Sequence, residues 1–389
     1  MIETIAGDIP ELLATTCMAV AGLGCVYLLV SCAAVMVFPA RQQKPRPRAV
    51  PTTILKPLHG SEPGLVRRLS SFCRQDYAAP IQVVCGVRWA SDPAAETAKE
   101  VAKSVGCSHL ELVVDPREHG TNPKVSNLAN MLRWARHDVL VIADSDIEVR
   151  PDYLASVVSE LNRPEVGAVT CLYHGVAMPG RWSRHASLAI NTHFLPDAIT
   201  ALTLGLARPC FGSTIAMPRA ILVRIGGLQA FADHLADDYA IGEAVRAAGY
   251  QVAIPRFSVG HACFHDRLQS LVTHELRTAR TIRSIAPIGY RGAIITHPFA
   301  LALFGVLYNG SDALVLAAVA LACRVALCLC VEQALGLARQ PYWLIPVRDL
   351  LSFAVYVWSL FGGNVVWRGS RYRIAADGSL LSDRWRTQI

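Results

Sequence analysis

The sequence predicts an α/β domain that is held to a membrane at both of its ends. Strand-like and helix-like stretches alternate between residues 52 and 171, as parallel β-α units do when helices cover both faces of a sheet. Residues 12–39 contain no charge and exceed the roughly 20 apolar residues that cross a bilayer. A second apolar zone covers about 294–367. We therefore expect an anchor with a basic linker over 1–48, a cytoplasmic domain over 49–290, and a membrane region with a basic tail over 291–389.

Composition agrees with this division. The 389 residues are 52% hydrophobic and only 17% charged, which is apolar for a soluble protein. The net charge of +7 is concentrated beside the apolar segments, which favours an anionic membrane surface as the partner. No interleaving of aromatic and basic residues of the RNA-binding kind is present. We expect the lipid bilayer, and no nucleic acid, among the partners.

Charges around the first apolar segment predict its orientation. Acidic residues precede it, whereas a secretory signal peptide begins with basic ones. Basic residues follow it, so the positive-inside rule places the amino terminus outside and the following domain in the cytoplasm. The basic residues are Arg41, Lys44, Arg46 and Arg48.

The second apolar zone is predicted to contain two spans, over 313–337 and 342–366. Residues 294–307 are too short to cross and contain His297-Pro298, which indicates an interfacial or re-entrant segment. Two spans return Arg368, Arg371 and Arg373 to the cytoplasmic side. Arg324 lies inside the first of these spans, where it is either functional or paired with Glu332 or a neighbouring helix.

The elements of the soluble region follow from apolar runs and their boundaries. Runs rich in β-branched residues predict strands, and longer amphipathic stretches predict helices, the first of which has Pro63 near its start. The predicted strands are 52–55, 81–87, 110–114, 139–142 and 167–171, and the predicted helices are 62–74, 126–136 and 151–161.

The 12 cysteines are scattered, and six of them lie in the apolar segments. No pair in the soluble region has the spacing of metal ligands. In a cytoplasmic domain we expect them to be reduced and to pack as small apolar residues.

A paired carboxylate follows the buried strand 139–142. Asp144 and Asp146 are one residue apart at the carboxyl end of this strand, where ligands bind in open α/β sheets. Together they can reach one divalent cation, and hard oxygen ligands suit Mg²⁺ or Mn²⁺. Taken alone, the pattern is also that of solvated turn aspartates after a strand.

A loop of Gly and Asn residues, 120–124, precedes the helix that leads into the same strand. Its backbone N–H groups, the helix dipole and Lys124 can hold a phosphate or a nucleobase edge, although an ordinary capped turn has the same composition. No Gly-x-Gly-x-x-Gly follows the first strand and no P-loop motif occurs. A Rossmann dinucleotide site and a P-loop are therefore disfavoured.

Two further motifs lie downstream. Asp237 and Asp238 open a helix that ends near residue 248; they either complement its dipole or supply a general base. Arg277 and Arg280 share one face of a later helix. Guanidinium groups bind phosphate oxygens bidentately, and a basic amphipathic helix lying on the membrane is the alternative.

Taken together, these motifs resemble the ceramide glucosyltransferases and their bacterial relatives, which are membrane-bound glycosyltransferases of the GT-A (nucleotide-diphospho-sugar transferase) fold. The resemblance covers roughly residues 56–373 and depends on the order and spacing of the motifs. The turn Phe211-Gly212-Ser213-Thr214 points to the bacterial hopanoid-associated branch. The other motifs are Lys56-Pro57-Leu58-His59-Gly60, Asp92-Pro93-Ala94, Gly120-x-Asn122-Pro123-Lys124-Val125-x-Asn127-Leu128, Asp144-Ser145-Asp146 and Leu235-Ala236-Asp237-Asp238-Tyr239.

The resemblance implies roles for the matching positions. Asp92 contacts the nucleotide, Asp144 and Asp146 hold the sugar diphosphate with Asp146 on the metal, and Asp238 is the base. The residues themselves leave Asp237 open as the base, because both aspartates lie at one helix start.

The family's Arg/Gln-x-x-Arg-Trp motif falls on Arg277 and Arg280. Thr281 occupies the position of its Trp. This departure removes any stacking contact of the Trp and points to a different acceptor or sugar.

The expected reaction is inverting transfer of N-acetylglucosamine or glucose from a UDP-sugar to the hydroxyl of a membrane lipid. The acceptor is expected to be a hopanoid such as bacteriohopanetetrol, or otherwise ceramide, at a bacterial inner membrane that the protein crosses more than once. One alternative is a processive polysaccharide synthase, which usually has a fuller channel and Gln-x-x-Arg-Trp. The other is an inactive membrane adaptor, against which the joint presence of Asp92, Asp144, Asp146 and Asp238 argues.

Overall fold

The computed structural model describes residues 2–39, 49–107, 109–367, 370–374 and 379–382. The basic residues Arg41, Lys44, Arg46, Arg48 and Arg368, on which the predicted orientation depends, lie outside the described residues.

The elements are numbered in chain order. The α-helices are α1 (Ile2–Val37), α2 (Leu65–Cys73), α3 (Pro93–Ser104), α4 (Pro123–Met131), α5 (Tyr153–Leu161), α6 (Arg181–Ala189), α7 (Leu195–Thr203), α8 (Arg219–Arg224), α9 (Asp237–Ala247), α10 (Leu268–Ile285), α11 (Pro287–Gly292), α12 (Pro298–Leu335) and α13 (Ile345–Ser359). The strands are β1 (Thr52–Pro57), β2 (Ile81–Val87), β3 (Leu110–Val114), β4 (Val139–Ile142), β5 (Ile147–Glu148), β6 (Val166–Thr170), β7 (Leu172–Ala177), β8 (Ile215–Pro218), β9 (Gln251–Ala253), β10 (Ser258–Cys263), β11 (Asn364–Trp367), β12 (Ser370–Ile374) and β13 (Leu380–Ser382).

The chain forms two compact units. The sheet unit consists of Gln42–Met178, Arg208–Phe264 and Ile374–Ile389. The helical unit consists of Met1–Arg41, Pro179–Ala207 and His265–Arg373.

Within the described part of the sheet unit, seven strands form one sheet in the order β3-β2-β1-β4-β8-β6-β9. The pairs from β3 to β4 are parallel, as the sequence predicts, whereas β8 runs antiparallel to both β4 and β6. A smaller sheet has the order β5-β10-β7, with β10 antiparallel to β5 and parallel to β7. β5 begins directly after Asp146, so β10 runs beside the paired carboxylate.

The central strands are covered on both faces, and apolar residues form most of β2 and all of β4. Ile54 faces the core that includes residues of α2, α3 and α5. Leu55, the next residue of β1, faces the core that includes residues of α4 and α9. Two opposed layers therefore fix the carboxyl ends of β1, β2 and β4 at one edge of the sheet.

Most of the predicted element bounds are close to those observed. The strands 81–87, 110–114 and 139–142 have the predicted limits. The helix predicted over 62–74 is α2, and it begins at Leu65 rather than at 62. Gly64, the residue before it, is in the left-handed region with φ 76° and interrupts the helical backbone.

The expectation that all cysteines are reduced is wrong for one pair. Cys73, at the end of α2, is joined to Cys107, before β3, in a disulfide with a Cα–Cα distance of 5.9 Å. This separation lies within the range that a disulfide spans. Spacing in the sequence did not reveal the pair, because the two cysteines are 34 positions apart.

The helical unit contains two helices long and apolar enough to cross a membrane, among the residues described: Pro10–Val37 and Gly310–Leu335. α1 packs along α12. Gly24 allows the close approach, because a Cβ there would lie 2.9 Å from the Cβ of Pro298, the first residue of α12, and would collide with the carbonyl of Ile295 just before it. The backbone of α12 is broken at Gly310, with φ 53°, which separates the predicted short segment from the span that follows.

The predicted span 342–366 differs from the structure. Its helix, α13, has only 15 residues, fewer than a crossing requires. Arg348 and Asp349 are buried near its start, and strand β11 begins at Asn364. Apolar composition predicted a span here, but it does not show where the helix ends or that these two charged residues are buried inside the protein.

Arg324 is fully buried and is paired with a neighbouring helix rather than with Glu332. Its Nε atom lies 3.2 Å from Asp349 Oδ2 on α13, and its guanidinium also donates to the carbonyls of Thr192 and Thr296. Thr192 belongs to a π-helical turn, Ile190–Phe194. The arginine thus neutralises a buried carboxylate and satisfies carbonyls at irregular helix segments.

Candidate active site

The two aspartates of the Asp144-Ser145-Asp146 turn have different partners. Asp144 Oδ1 lies 2.7 Å from Lys124 Nζ, which pairs the predicted phosphate loop with the predicted diphosphate ligand. Asp146 Oδ2 lies 3.2 Å from His261 Nε2. The other oxygen of Asp146, Oδ1, is buried and has no hydrogen-bond partner among the described residues.

The loop before α4 is locked in place by Asn122. Its side chain caps α4 by accepting from the N–H groups of Lys124 (2.9 Å) and Val125 (3.2 Å). Its Nδ2 atom donates to the carbonyl of His234 (2.8 Å) and to Asp237 Oδ1 (3.3 Å). The loop is therefore a capped turn, as one reading of the sequence had it, and it also carries Lys124 into the cleft.

Asp237 and Asp238 face different surroundings. Asp237 is buried and its Oδ2 lies 3.3 Å from Lys124 Nζ. Asp238 is half-buried, and its Oδ2 accepts from the N–H of Gly212 at 2.8 Å. Asp237 thus supports the lysine, while Asp238 points to the turn at Gly212.

Gly212 marks the point where three predicted site residues converge. A Cβ at this position would lie 2.9 Å from Asp144 Oδ2, 3.1 Å from Lys124 Nζ and 3.5 Å from Asp238 Oδ2. These groups come from separate parts of the sequence and pack closely around Gly212. The structure therefore brings together Lys124, Asp144 and Asp238 as the sequence predicts.

The charges in this cleft perturb one another. Burial, and after it the neighbouring Asp237 carboxylate, raise the pKa of Asp238 to about 6. Burial also raises the pKa of Asp144, against the effect of Lys124. For Lys124 itself, burial would lower the pKa, but the surrounding carboxylates outweigh it and hold the pKa above its ordinary value.

His261 is a site residue that the sequence did not single out. Burial would lower the pKa of its imidazole, but the Asp146 carboxylate outweighs burial and raises it well above the usual value. The same pair holds the pKa of Asp146 below its usual value, although burial acts in the opposite direction. A lone histidine carries no motif, and no strand was predicted over Ser258–Cys263, so no signal in the sequence pointed to His261.

Asp92 is tied to the backbone around it. Its Oδ1 accepts from the N–H groups of Gly60 (2.8 Å) and Ala94 (2.9 Å), and its Oδ2 lies 3.2 Å from His59 Nδ1. It therefore caps α3 and joins the loops that follow β1 and β2. Its predicted contact with the nucleotide stays a prediction.

Arg277 and Arg280 lie one turn apart on α10, in the helical unit. Arg280 donates to the carbonyls of Asn364 (2.7 Å) and Phe361 (3.2 Å), after the end of α13. Thr281, which replaces the expected Trp, donates back to the carbonyl of Arg277 at 2.8 Å. The predicted contact of the two arginines with a diphosphate stays a prediction.

Comparison with known proteins gives consistent similarities. The model of Glycosyl transferase family 21 matches residues 15–380. The chain is 24% identical over 212 residues to ceramide glucosyltransferase 1 of Caenorhabditis elegans, covering 54% of this chain and 45% of that protein. It is 32% identical over 133 residues to a ceramide glucosyltransferase of Komagataella phaffii, covering 32% and 26%. The matches thus span less than half of either relative.

Among solved structures, the fold is similar to that of the mannosyltransferase PcManGT from Pyrobaculum calidifontis, solved with GDP-Man and Mn²⁺. The TM-score is 0.50 and the identity 21%, and the similarity covers 90% of this chain and 99% of that one.

Proposed function

The chain belongs to glycosyl transferase family 21, and on that premise we propose that it transfers a sugar from a UDP-sugar to the hydroxyl of a membrane lipid with inversion. Its activity as a glycosyltransferase and its GT-A fold follow from the family and from the fold similarity. The donor, the acceptor and the roles of individual residues are the proposal.

The observation that carries the proposal is the convergence of Lys124, Asp144 and Asp238 on the space around Gly212. An ammonium group and a base carboxylate in one cleft are what displacement at a sugar diphosphate requires. The cleft lies at the carboxyl ends of strands, where α/β sheets bind ligands.

In the proposed reaction, the acceptor hydroxyl attacks the anomeric carbon while Asp238 takes its proton. The bond from the acceptor oxygen to the anomeric carbon forms as the bond to the diphosphate oxygen breaks, which inverts the configuration. Lys124 stabilises the negative charge on the departing nucleoside diphosphate. From the resemblance of their motif alone, Arg277 and Arg280 are proposed to bind phosphate oxygens. Asp238 is preferred to Asp237 as the base because Asp237 is engaged by Lys124 and Asn122.

The residues present fit a divalent cation. Within the described part of the chain, one buried oxygen of Asp146 has no hydrogen-bond partner, and an imidazole lies beside its other oxygen. Asp146 and His261 would hold Mn²⁺ or Mg²⁺, both of which accept carboxylate oxygens. A cation there would neutralise part of the charge of a bound diphosphate. Asp144 already has Lys124 as a partner, so its share in the metal site is the weaker part of the proposal.

The acceptor is proposed to be a lipid because two helices of the chain are long and apolar enough to enter a membrane. Within lipids we propose a hopanoid polyol such as bacteriohopanetetrol first and ceramide second. Thr281 in place of the expected Trp supports an acceptor other than that of the ceramide enzymes. We further propose a bacterial inner membrane and a cytoplasmic sheet unit.

The test is a donor-by-acceptor assay on the full chain purified in detergent. UDP-glucose and UDP-N-acetylglucosamine are each offered with bacteriohopanetetrol and with ceramide, with and without EDTA. Metal-dependent transfer of N-acetylglucosamine to the hopanoid is the expected result. Transfer of glucose to ceramide would correct the substrates and keep the reaction, whereas absence of transfer with all four pairs would contradict the proposed function.

A further inference from the structure

Two buried cations contact the backbone of the Asp144-Ser145-Asp146 turn. Lys56 opens one of the motifs of the resemblance, which gives it no role in the site, and Arg68 belongs to none of those motifs. Lys56 is fully buried in β1, and its Nζ atom donates to the backbone carbonyl of Asp144. Arg68, on α2, is 3% exposed and its Nε atom donates to the carbonyl of Ser145 at 2.9 Å. Consecutive carbonyls of the turn thus each receive a cationic donor.

A third side chain closes the arrangement. Glu62 Oε1 accepts from Ser145 Oγ at 2.6 Å, and Glu62 Oε2 accepts from Arg68 Nη2 at 2.9 Å. Arg68 Nη1 in turn donates to the carbonyl of Pro63 at 2.7 Å. Two acceptors outside the turn therefore hold the guanidinium in addition to the carbonyl of Ser145, which leaves little freedom in its position.

Burial of these cations costs free energy unless hydrogen bonds or opposite charges compensate for the lost hydration. A buried ammonium loses its hydration, and the ring of Phe72, whose centroid lies 4.0 Å from Lys56 Nζ, replaces only part of it. An apolar residue at this position of β1 would fit the surrounding core without that cost. The hydrogen bond from Lys56 to the carbonyl of Asp144 offsets part of this cost, and it fixes the position of that carbonyl in the turn.

The direction of the carbonyls decides the direction of the side chains. When the carbonyls of Asp144 and Ser145 are drawn towards Lys56 and Arg68, and that of Asp146 accepts from Ala262 N at 2.9 Å, the backbone of the turn has one conformation. That conformation sets Asp144 against Lys124 and Asp146 against His261.

We propose that Lys56 and Arg68 are positioning residues that preset the Asp144-Ser145-Asp146 turn for a divalent cation and a sugar diphosphate. This inference rests on the proposed function, because it assigns the turn the ligands proposed there. Outer residues that orient metal ligands change metal affinity by about 10–100-fold when removed.

The test compares Lys56→Met, Arg68→Lys and the control Arg67→Gln in the full chain. Arg67 is the neighbouring residue on α2 and pairs with the side chain of Glu148 at 2.8 Å instead of with the turn. Free Mn²⁺ is titrated by electron paramagnetic resonance, without donor or acceptor. Lys56→Met and Arg68→Lys are expected to weaken Mn²⁺ binding at least about tenfold, with Arg67→Gln unchanged.

Hydrogen exchange gives a second readout that needs no metal. The N–H of Ile147 donates to the same Asp144 carbonyl as Lys56, at 3.2 Å, so its exchange is expected to accelerate in Lys56→Met while the β2 amides stay protected. Global loss of protection in Lys56→Met would mean that this variant misfolds. The Mn²⁺ affinity of Arg68→Lys, which keeps the charge, would then decide whether the positioning role is correct.

The outcomes separate the two proposals. Wild-type Mn²⁺ binding with unchanged affinity and unchanged Ile147 exchange in both variants would overturn the positioning role and leave the proposed function intact. Failure of the wild type to bind Mn²⁺, with or without UDP, would contradict the proposed metal site and with it the purpose assigned to the two cations.

Discussion

His261 brings its Nε2 atom to 3.2 Å from Asp146 Oδ2, although the two residues come from distant parts of the chain. The contact follows from strand pairing, because β10 runs antiparallel to β5 and sets His261 opposite Ile147, the residue after Asp146. The pairing of β5 with β10 in the small sheet therefore places His261 in the candidate metal site.

Replacing His261 tests that assignment. His261→Ala is expected to lower Mn²⁺ affinity by about 10–100-fold, the range seen when residues around a metal ligand are removed. The measurement is the Mn²⁺ concentration that gives half-maximal transfer, set beside direct Mn²⁺ titration. His174→Ala, a change in the neighbouring strand β7 where the imidazole bonds Ser258 Oγ at 2.9 Å, is the control. If His261→Ala and His174→Ala bind Mn²⁺ with the same affinity, His261 is not part of the metal site.

Asp238→Asn tests the proposed base. Loss of general-base catalysis is expected to lower turnover by about 10²–10⁴-fold, while UDP-sugar binding, measured by calorimetry, is retained. Asp152→Asn is the matched control, since its side chain is exposed and bonds Arg150 at 3.0 Å. Full turnover in Asp238→Asn would contradict the assignment and direct attention to Asp237.

The pH profile provides an independent test of the same group. Burial and the adjacent Asp237 carboxylate raise the pKa of Asp238 to about 6. A base acts only when deprotonated, so kcat/KM is expected to be full above this pKa and to fall tenfold per pH unit below about pH 6. In Asp238→Asn the residual kcat/KM should not fall below about pH 6. A fall that persists in this variant would be due to the titration of another group.

Gly212→Ala tests whether the space at the convergence point is needed. The added Cβ would lie 2.9 Å from Asp144 Oδ2 and 3.1 Å from Lys124 Nζ, so the two side chains must move apart. A shift of this size is expected to reduce turnover by about 100-fold, with the thermal midpoint little changed. Gly289→Ala, where a Cβ would meet nothing within 4 Å, should behave as wild type. Comparable turnover in both variants would show that the cleft tolerates the methyl group.

Removing the disulfide should affect stability rather than chemistry. The bond closes a loop between residues 34 positions apart, so its loss is expected to lower the free energy of unfolding by about 3–4 kcal/mol. Cys73→Ser and Cys107→Ser should each lower the thermal midpoint of the purified protein, and dithiothreitol should do the same to the wild type only. Cys171→Ser, at a buried free thiol, is the comparison. A midpoint insensitive to dithiothreitol would mean that the bond contributes no stability.

The sheet could be predicted from sequence because its strands are buried on both faces. Residues 139–142 are an uninterrupted apolar run, and 81–87 are apolar except for Gln82; the observed limits of both strands agree with the predicted ones. The membrane region was predicted less well, since the mean hydropathy of 342–366 does not show that the helix ends at Ser359. Nor does it show that two charges near the helix start are buried in ion pairs, Arg348 with Glu275 at 2.9 Å and Asp349 with Arg324 at 3.2 Å.

The candidate site was predictable where a motif is local. Asp144, Lys124 and Asp238 each belong to a short pattern, and the structure brings them together. His261 and Arg68 carry no local pattern, because strand pairing and the position of α2 give them their roles. Such residues become visible only once the three-dimensional arrangement is known.

The close packing of α1 on α12 means that the first helix is not an exchangeable anchor. A generic apolar helix rich in leucine would insert equally well, but a side chain at position 24 would collide with the carbonyl of Ile295, and Met18 leaves no room for one at Gly305. Fusion proteins that replace this helix with a foreign one should therefore reach the membrane and still fold poorly. Because α12 is synthesised long after α1, the two helices can meet only when most of the chain has left the ribosome.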